Sequence, residues 1–310
     1  NMENIVNKLP PEQIIIRPPV EAHSILIPVT GGCSWNSKTG GCKFCGTYNG
    51  VYGGIQEYKI RPLEAVLKDI DMYAERNIYD IPVFLAGGNP TSAPTNYLVK
   101  IMEYVREKLG DVPRISCYAK ALDILRKNDT ELRELASAGL NIVYMGLESG
   151  SSKILRIMNK GTNAQAMIKA SHKIMSAGIK LSLYIILGLG GKKLSEDHVR
   201  ETARVLTEIN PTIFRFRTLN ILPSTPLWEE WKDGHFKLLS PVENLKEEKE
   251  IIEKLGQNVN SEVYNDHISN YISIHAKNIK KERKYVLKVL NKYIQDDRIQ
   301  NMERKNLIRM

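Results

Sequence analysis

Six times between residues 23 and 220, a short apolar run rich in β-branched residues gives way to a segment with apolar residues at helical spacing. The runs cover 24–29, 82–88, 114–118, 141–146, 179–187 and 212–219. Between them Leu63, Val66, Leu67, Ile70 and Tyr73 mark one helix face, and Leu98, Ile101, Met102, Val105 and Leu109 another. Gly139 and Gly178 stop two further helices, and Val199, Ala203, Leu206 and Ile209 line a fifth. Such alternation implies parallel strands joined by helical crossovers. Continuous apolar strands need helices over the sheet. The expected fold class is α/β, a partial (β/α)6 TIM-like barrel over 23–222, with an open sheet as the other arrangement. Residues 1–22 form an N-terminal segment. Residues 223–310 are expected to be a mainly helical extension packed on the core, punctuated by Pro223, Pro226 and Pro241.

In a barrel of this kind chemistry gathers at the C-terminal ends of the strands. Four glycine-bearing loops lie just after strands: 30–48, Gly87-Gly88-Asn89-Pro90, Glu148-Ser149-Gly150 and Gly188-Leu189-Gly190-Gly191. All four should meet on one rim.

The first of these loops carries Cys33, Cys42 and Cys45, spaced C-x8-C-x2-C, and Cys117 is the only other cysteine. A closed structural zinc site takes four ligands. A cubane iron–sulfur cluster usually takes four thiolates. Three leave one metal position open to a substrate or cofactor. Close cysteine spacing favours metal over disulfides and a reducing, cytoplasmic compartment. No apolar run approaches the roughly 20 residues of a spanning helix, and the start lacks the layout of a secretory signal. No membrane partner is therefore expected.

With Cys33, Cys42, Cys45 and the adjoining Phe44, the glycine pair Gly87-Gly88, the run Gly146-Leu147-Glu148-Ser149-Gly150 and Gly188–Gly191, the chain resembles the radical S-adenosylmethionine (radical SAM) enzymes over roughly residues 20–235. Residues 139–161 look most like the subgroup of oxygen-independent coproporphyrinogen oxidase and the Elongator catalytic subunit. The usual spacing there is C-x3-C-x2-C, so the first gap here is five residues longer. The resemblance implies a [4Fe-4S] cluster on Cys33, Cys42 and Cys45, with S-adenosyl-L-methionine chelating the fourth iron. It further implies reductive cleavage to a 5′-deoxyadenosyl radical that abstracts hydrogen, and an external electron donor of flavodoxin or ferredoxin type.

By position, Gly87 and Gly88 would offer carbonyls to the methionine ammonium and Asn89 would accept a hydrogen bond. Glu148 would bind the aminoacyl part or the ribose, and Phe44 would contact adenine. Ser182 and Tyr184 share a facing on the fifth strand, with Ser182 a cofactor contact and Tyr184 a catalytic candidate. Each has a structural alternative: a plain turn for Gly87-Gly88, a cap on the helix after Ser151 for Glu148, core packing for Phe44. Cys117 is either a catalytic thiol or a small buried hydrophobe. It cannot by itself hold a second cluster of the all-cysteine kind.

Of the net charge of +9, seven units fall within 277–310, where eleven basic residues face four acidic ones. That tail is a nucleic-acid patch or the solvated face of a helix. The favoured substrate is a small molecule. RNA as substrate, or a zinc-stabilised nucleic-acid-binding protein closed by a histidine, are the competing readings.

Overall fold

The computed structural model describes residues 16–47, 57–223 and 225–304. Most of the N-terminal segment, Tyr48 at the end of the cysteine loop, and Lys305 and Arg309 of the basic tail lie outside the described residues. Six parallel strands run in chain order: β1 (Ile25–Pro28), β2 (Val83–Ala86), β3 (Ile115–Ala119), β4 (Leu140–Glu148), β5 (Lys180–Leu187) and β6 (Ile213–Thr218). Each pairs with the next in parallel register. All six overlap the apolar runs of the sequence. The extension adds what periodicity did not reveal: β7 (Glu262–Tyr264) pairs parallel with β6, and β8 (His275–Ala276) pairs antiparallel with β7. Two and three residues are too few to show alternation, so tertiary pairing alone makes them strands.

Helices fill the crossovers: α1 (Ser34–Thr39), α2 (Leu63–Ala74), α3 (Thr95–Leu109), α4 (Ala121–Arg126), α5 (Asp129–Ala138), α6 (Ser152–Ile157), α7 (Ala164–Ser176) and α8 (Gly191–Ile209). The extension supplies α9 (Pro226–Lys232), α10 (Pro241–Lys254), α11 (Ile279–Ile294) and α12 (Asp297–Gln300). Starts are set locally. Asn128 with Glu131, and Ser240 with Glu243, form reciprocal capping boxes ahead of α5 and α10.

The sheet has two unlike faces. The outer face packs Ile25, Leu85, Cys117, Val143, Leu183 and Phe214 against the helices in one large core. Burial of each large apolar side chain there contributes about 1.5–3 kcal/mol. Helices α10 and α11 share that same core through Ile251, Ile252, Val286 and Leu290. The inner face gathers Leu26, Phe84, Tyr144 and Tyr184, with Tyr118 and Ile213 packed against them, so all six strands contribute. In a flat sheet β1 and β6 would stand about 24 Å apart, at ~4.8 Å per strand. Instead the loop after β1 reaches the segment after β6: Leu227 donates its N–H to the Lys43 carbonyl at 3.1 Å. The sheet is curled, with a lumen and a rim. Glu21 plugs the lower end, accepting from Arg114 at 2.9 Å, from Ser116 at 2.8 Å, and from Ser24 and Tyr144.

Candidate functional site

Cys33 is the residue that caps α1, in extended conformation just past the rim end of β1. Its position is dictated by glycines. The N–H of Gly88 donates to the Gly32 carbonyl at 3.2 Å. A Cβ on Gly88 would lie 2.4 Å from that oxygen and 3.1 Å from the Cβ of Cys33. Gly87 sits at φ +133°, where a Cβ would stand 2.1 Å from the Thr30 hydroxyl. The two rim loops cross with no room for a side chain.

Asn89 ties this crossing down. It is fully buried; its amide donates to Asp123 and to the Ser34 hydroxyl, both at 2.8 Å, and its carbonyl oxygen accepts the Ser34 N–H at 3.1 Å. Burial holds the Asp123 carboxyl above its usual range. Lys120, at the end of β3, lies over the Trp35 ring at 5.5 Å. Burial pulls its ammonium down, opposed by the neighbouring Cys33.

The C-x2-C half is stitched to the opposite wall. The Cys45 N–H closes a turn on the Cys42 carbonyl at 3.0 Å, and Lys43 N–H reaches Met158, past the end of α6, at 3.0 Å. Trp35 donates to the Asn159 carbonyl at 2.6 Å, and Asn159 returns a bond to Gly41 at 2.8 Å. Beside these lies Glu148, which ends β4 at a register shift with φ +62°. A non-glycine residue is rare there, and such conformations cost about 1–3 kcal/mol. The twist folds its carboxylate back over Gly146, where any Cβ would meet it at 1.9 Å, and onto Lys160 at 2.8 Å. Burial alone would depress the Lys160 ammonium, but the Glu148 and Cys42 charges hold it above its ordinary range. Burial pushes the Cys42 thiol up to about 12, Lys160 counters, and Cys45, Glu148 and Cys33 add to the rise. Three half-buried thiols outside any disulfide therefore share one neighbourhood with the partly buried ammonium of Lys160. Among the described residues no three Cys, His, Asp or Glu side chains stand close enough to form a ready metal site.

Several expectations need correction. Both ends of the Asn89 amide serve Ser34 and Asp123, so in this structure it braces the loop crossing. Cys117 lies on the outer face in register with Leu85 and Val143, 2% exposed, its thiol pushed up to about 12 by burial. It is a core side chain turned away from the lumen and is no catalytic candidate. Glu148 does not cap α6; Ser151 does, accepting from the Ile154 N–H. Phe44 is half-buried against Ile154, Leu189 and Ile221 at the rim. Ser182 and Tyr184 are both buried and share the inner face of β5. Lys120, Asp123 and Lys160 escaped the sequence reading. Lys120 had a usable signal, as a charge directly after a strand. Lys160 had none, since only the fold returns the segment after α6 to the cysteine loop.

The family model of the radical SAM superfamily matches residues 27–206, more than half of the chain, from within β1 to within α8. The chain belongs to the radical SAM superfamily. An uncharacterized protein of Methanocaldococcus jannaschii, MJ0486, is 27% identical over 214 residues, covering 67% of this chain and 64% of that protein. A tRNA uridine(34) acetyltransferase of Methanocaldococcus infernus is 22% identical over 135 residues, 42% of this chain and 25% of its own length. The radical SAM coproporphyrinogen III oxidase HemN of Escherichia coli superposes with a TM-score of 0.56 at 19% identity, over 74% of this chain and 51% of that one. The chain thus spans less than two thirds of each. The partial barrel is the radical SAM fold. Among the described residues no helix is long and apolar enough to cross a membrane.

Proposed function

We propose that this radical SAM enzyme holds a [4Fe-4S] cluster on Cys33, Cys42 and Cys45, binds S-adenosylmethionine beside it, and takes a hydrogen atom from a small-molecule substrate. One observation carries the reading: three thiols outside any disulfide, Cys33, Cys42 and Cys45, gather on the rim of a six-stranded lumen. The donor set fits the group in kind. It offers three soft ligands where three irons need them and leaves a position for the cofactor. The thiols share the rim without standing at ligand distance from a common point, and metal binding commonly completes such a site as it forms. When bound, the pair supplies one-electron cleavage of S-adenosylmethionine and hydrogen-atom abstraction.

The chain's own residues do the rest. Gly88 and Asn89 hold Cys33 at the rim. Lys160 offsets the negative charge of the thiolates. Glu148, Ser182 and the glycine carbonyls at 87–88 are the proposed contacts of S-adenosylmethionine, with Phe44 against its adenine. The aromatic lining of Phe84, Tyr118 and Tyr144 keeps water out of the lumen. Electrons come from an external flavodoxin or ferredoxin type of donor, in a reduced, cytoplasmic setting.

The test is anaerobic reconstitution with iron and sulfide. About four irons per chain and 5′-deoxyadenosine formed with dithionite support the reading. Zinc near one per chain, or full iron loading with no 5′-deoxyadenosine, refutes it. A second reading, with RNA as substrate, draws on α11 and Lys277 just before it. Lys277, Lys280, Lys281, Lys284, Lys288 and Lys292 are all exposed, and among the described residues none has an ion-pair partner. Four of them recur every fourth residue along one face. Salt-dependent binding of total tRNA, lost on charge reversal at Lys284 and Lys288, would favour it.

A further inference from the structure

The wall of the lumen formed by β5 and β6 holds hydrogen-bond donors that lack partners. On β5 and β6 the register sets Ser182 beside Ile213, Tyr184 beside Arg215 and Ile186 beside Arg217. The alternate residues Leu183, Ile185, Phe214 and Phe216 belong to the outer core, so both arginines face inward. Arg215 is 6% exposed, stacked 3.9 Å over Tyr264 and 3.5 Å from the Asp266 carboxylate. Arg217 stacks 4.1 Å over the Tyr184 ring and, among the described residues, has no acidic partner. The Nε of each guanidinium and the Ser182 hydroxyl are buried without a hydrogen-bond partner.

Among the described residues the acids paired near this wall are already committed. Glu148 is held by Lys160 and Glu21 by Arg114, while the half-exposed Asp266 serves Arg215. One cation is left over. A guanidinium held inside a lumen without a counter-ion is costly, and buried polar groups in folded chains find partners. An arginine fork matches carboxylate and phosphate oxygens in pairs.

We infer that the β5–β6 wall is a binding site for an oxyanion, a carboxylate or phosphate carried by the substrate, with Arg217 as its principal ligand. This names the substrate class for the function proposed above and rests on that reading. Arg217 thereby decides which substrates are accepted. The anion at this wall sits across the lumen from the glycine pair and Cys33, so the carbon chain attached to it spans the space beside the cysteine rim.

Thermal unfolding of the anaerobically reconstituted, S-adenosylmethionine-loaded protein tests the assignment. Inorganic phosphate and succinate are titrated separately at constant ionic strength set with chloride. The expected result is a saturable rise in the midpoint with one of them. Arg217→Gln should weaken the apparent affinity at least tenfold, and Arg217→Lys should restore part of it. The anion that responds identifies the source. Binding of S-adenosylmethionine, measured by equilibrium dialysis, should stay within twofold in both variants. No saturable response to either anion, or an undiminished response in Arg217→Gln, overturns the inference. Tenfold loss of S-adenosylmethionine binding in Arg217→Gln also overturns it, because Arg217 would then serve the cofactor's own carboxylate. The same titration on iron-free protein keeps the two readings apart. Failure to take up iron or S-adenosylmethionine sinks the functional proposal, while an Arg217-dependent anion response still stands or falls alone.

Discussion

Adding one methyl group at Gly88 should damage both the fold and the cysteine loop, and the size of the effect is set by the geometry. The new Cβ would stand 2.4 Å from the Gly32 carbonyl oxygen, 1 Å inside the 3.4 Å at which ordinary contact begins. It would also stand 3.0 Å from the Cα of Cys33. Both obstacles are backbone, so no side-chain rotation relieves them. Gly88 has no positive φ, so the cost is contact alone. Overpacking of this kind costs about 1–3 kcal/mol. At ~2.1 cal/mol/K of unfolding entropy per residue, the midpoint of the iron-free protein should fall by about 2–5 °C. The loop must retreat from the β2 end, carrying Cys33 with it. Iron uptake by Gly88→Ala should therefore drop well below that of the parent even at temperatures where the variant is folded. Gly31→Ala is the control: its Cβ meets the flexible Lys59 side chain at 3.4 Å and the Glu57 carbonyl oxygen at 3.8 Å, both ordinary contacts. It should change stability by no more than about 0.5 kcal/mol. Calorimetry and iron analysis of both variants decide the matter. A Gly88→Ala protein with parental midpoint and iron content would refute the argument that these glycines exist to let two loops cross.

Three further outcomes are expected. Burial raises Glu248 to about 8 from an ordinary 4.5, against the hydrogen bond that Asn265 donates to it. The folded chain thus keeps a proton that the unfolded chain releases above about pH 4.5, and stability declines from there as pH rises toward 8. Glu248→Gln should match the parent at pH 5 and exceed it by about 2–4 kcal/mol at pH 9 in urea titrations; an equal gain at both would show that charge is not the cause. Lys160→Met leaves Glu148 buried without its partner and should cost about 3–5 kcal/mol, much of it recovered in the double variant with Glu148→Gln. No recovery in the double-mutant cycle would show that the pair is not coupled. Cys117→Val should change stability by less than about 1.5 kcal/mol and leave iron content untouched, since that thiol lies in the outer core; loss of iron would return Cys117 to the site.

Chain order, the β–α alternation and the cysteine spacing were all local patterns, and they carried a long way. Apolar runs located the six strands within one or two residues, because a strand covered on both faces must be apolar throughout. Cys33, Cys42 and Cys45 stood out because thiols are few here and their spacing is short. The sequence could not show which face a strand residue takes when both faces are buried. Cys117 and Tyr184 look alike as residues within apolar strands; only the register sends one to the helices and the other to the lumen. Nor could it show that Asn89 spends its amide on Ser34 and Asp123. Lys160 and Arg217 are ordinary basic residues along the chain. They become a charge partner for the thiols and an unmatched luminal cation only when the sheet curls and brings distant segments to one rim. Periodicity reports what a residue's own element needs, whereas electrostatic partnership is settled by neighbours far away in sequence.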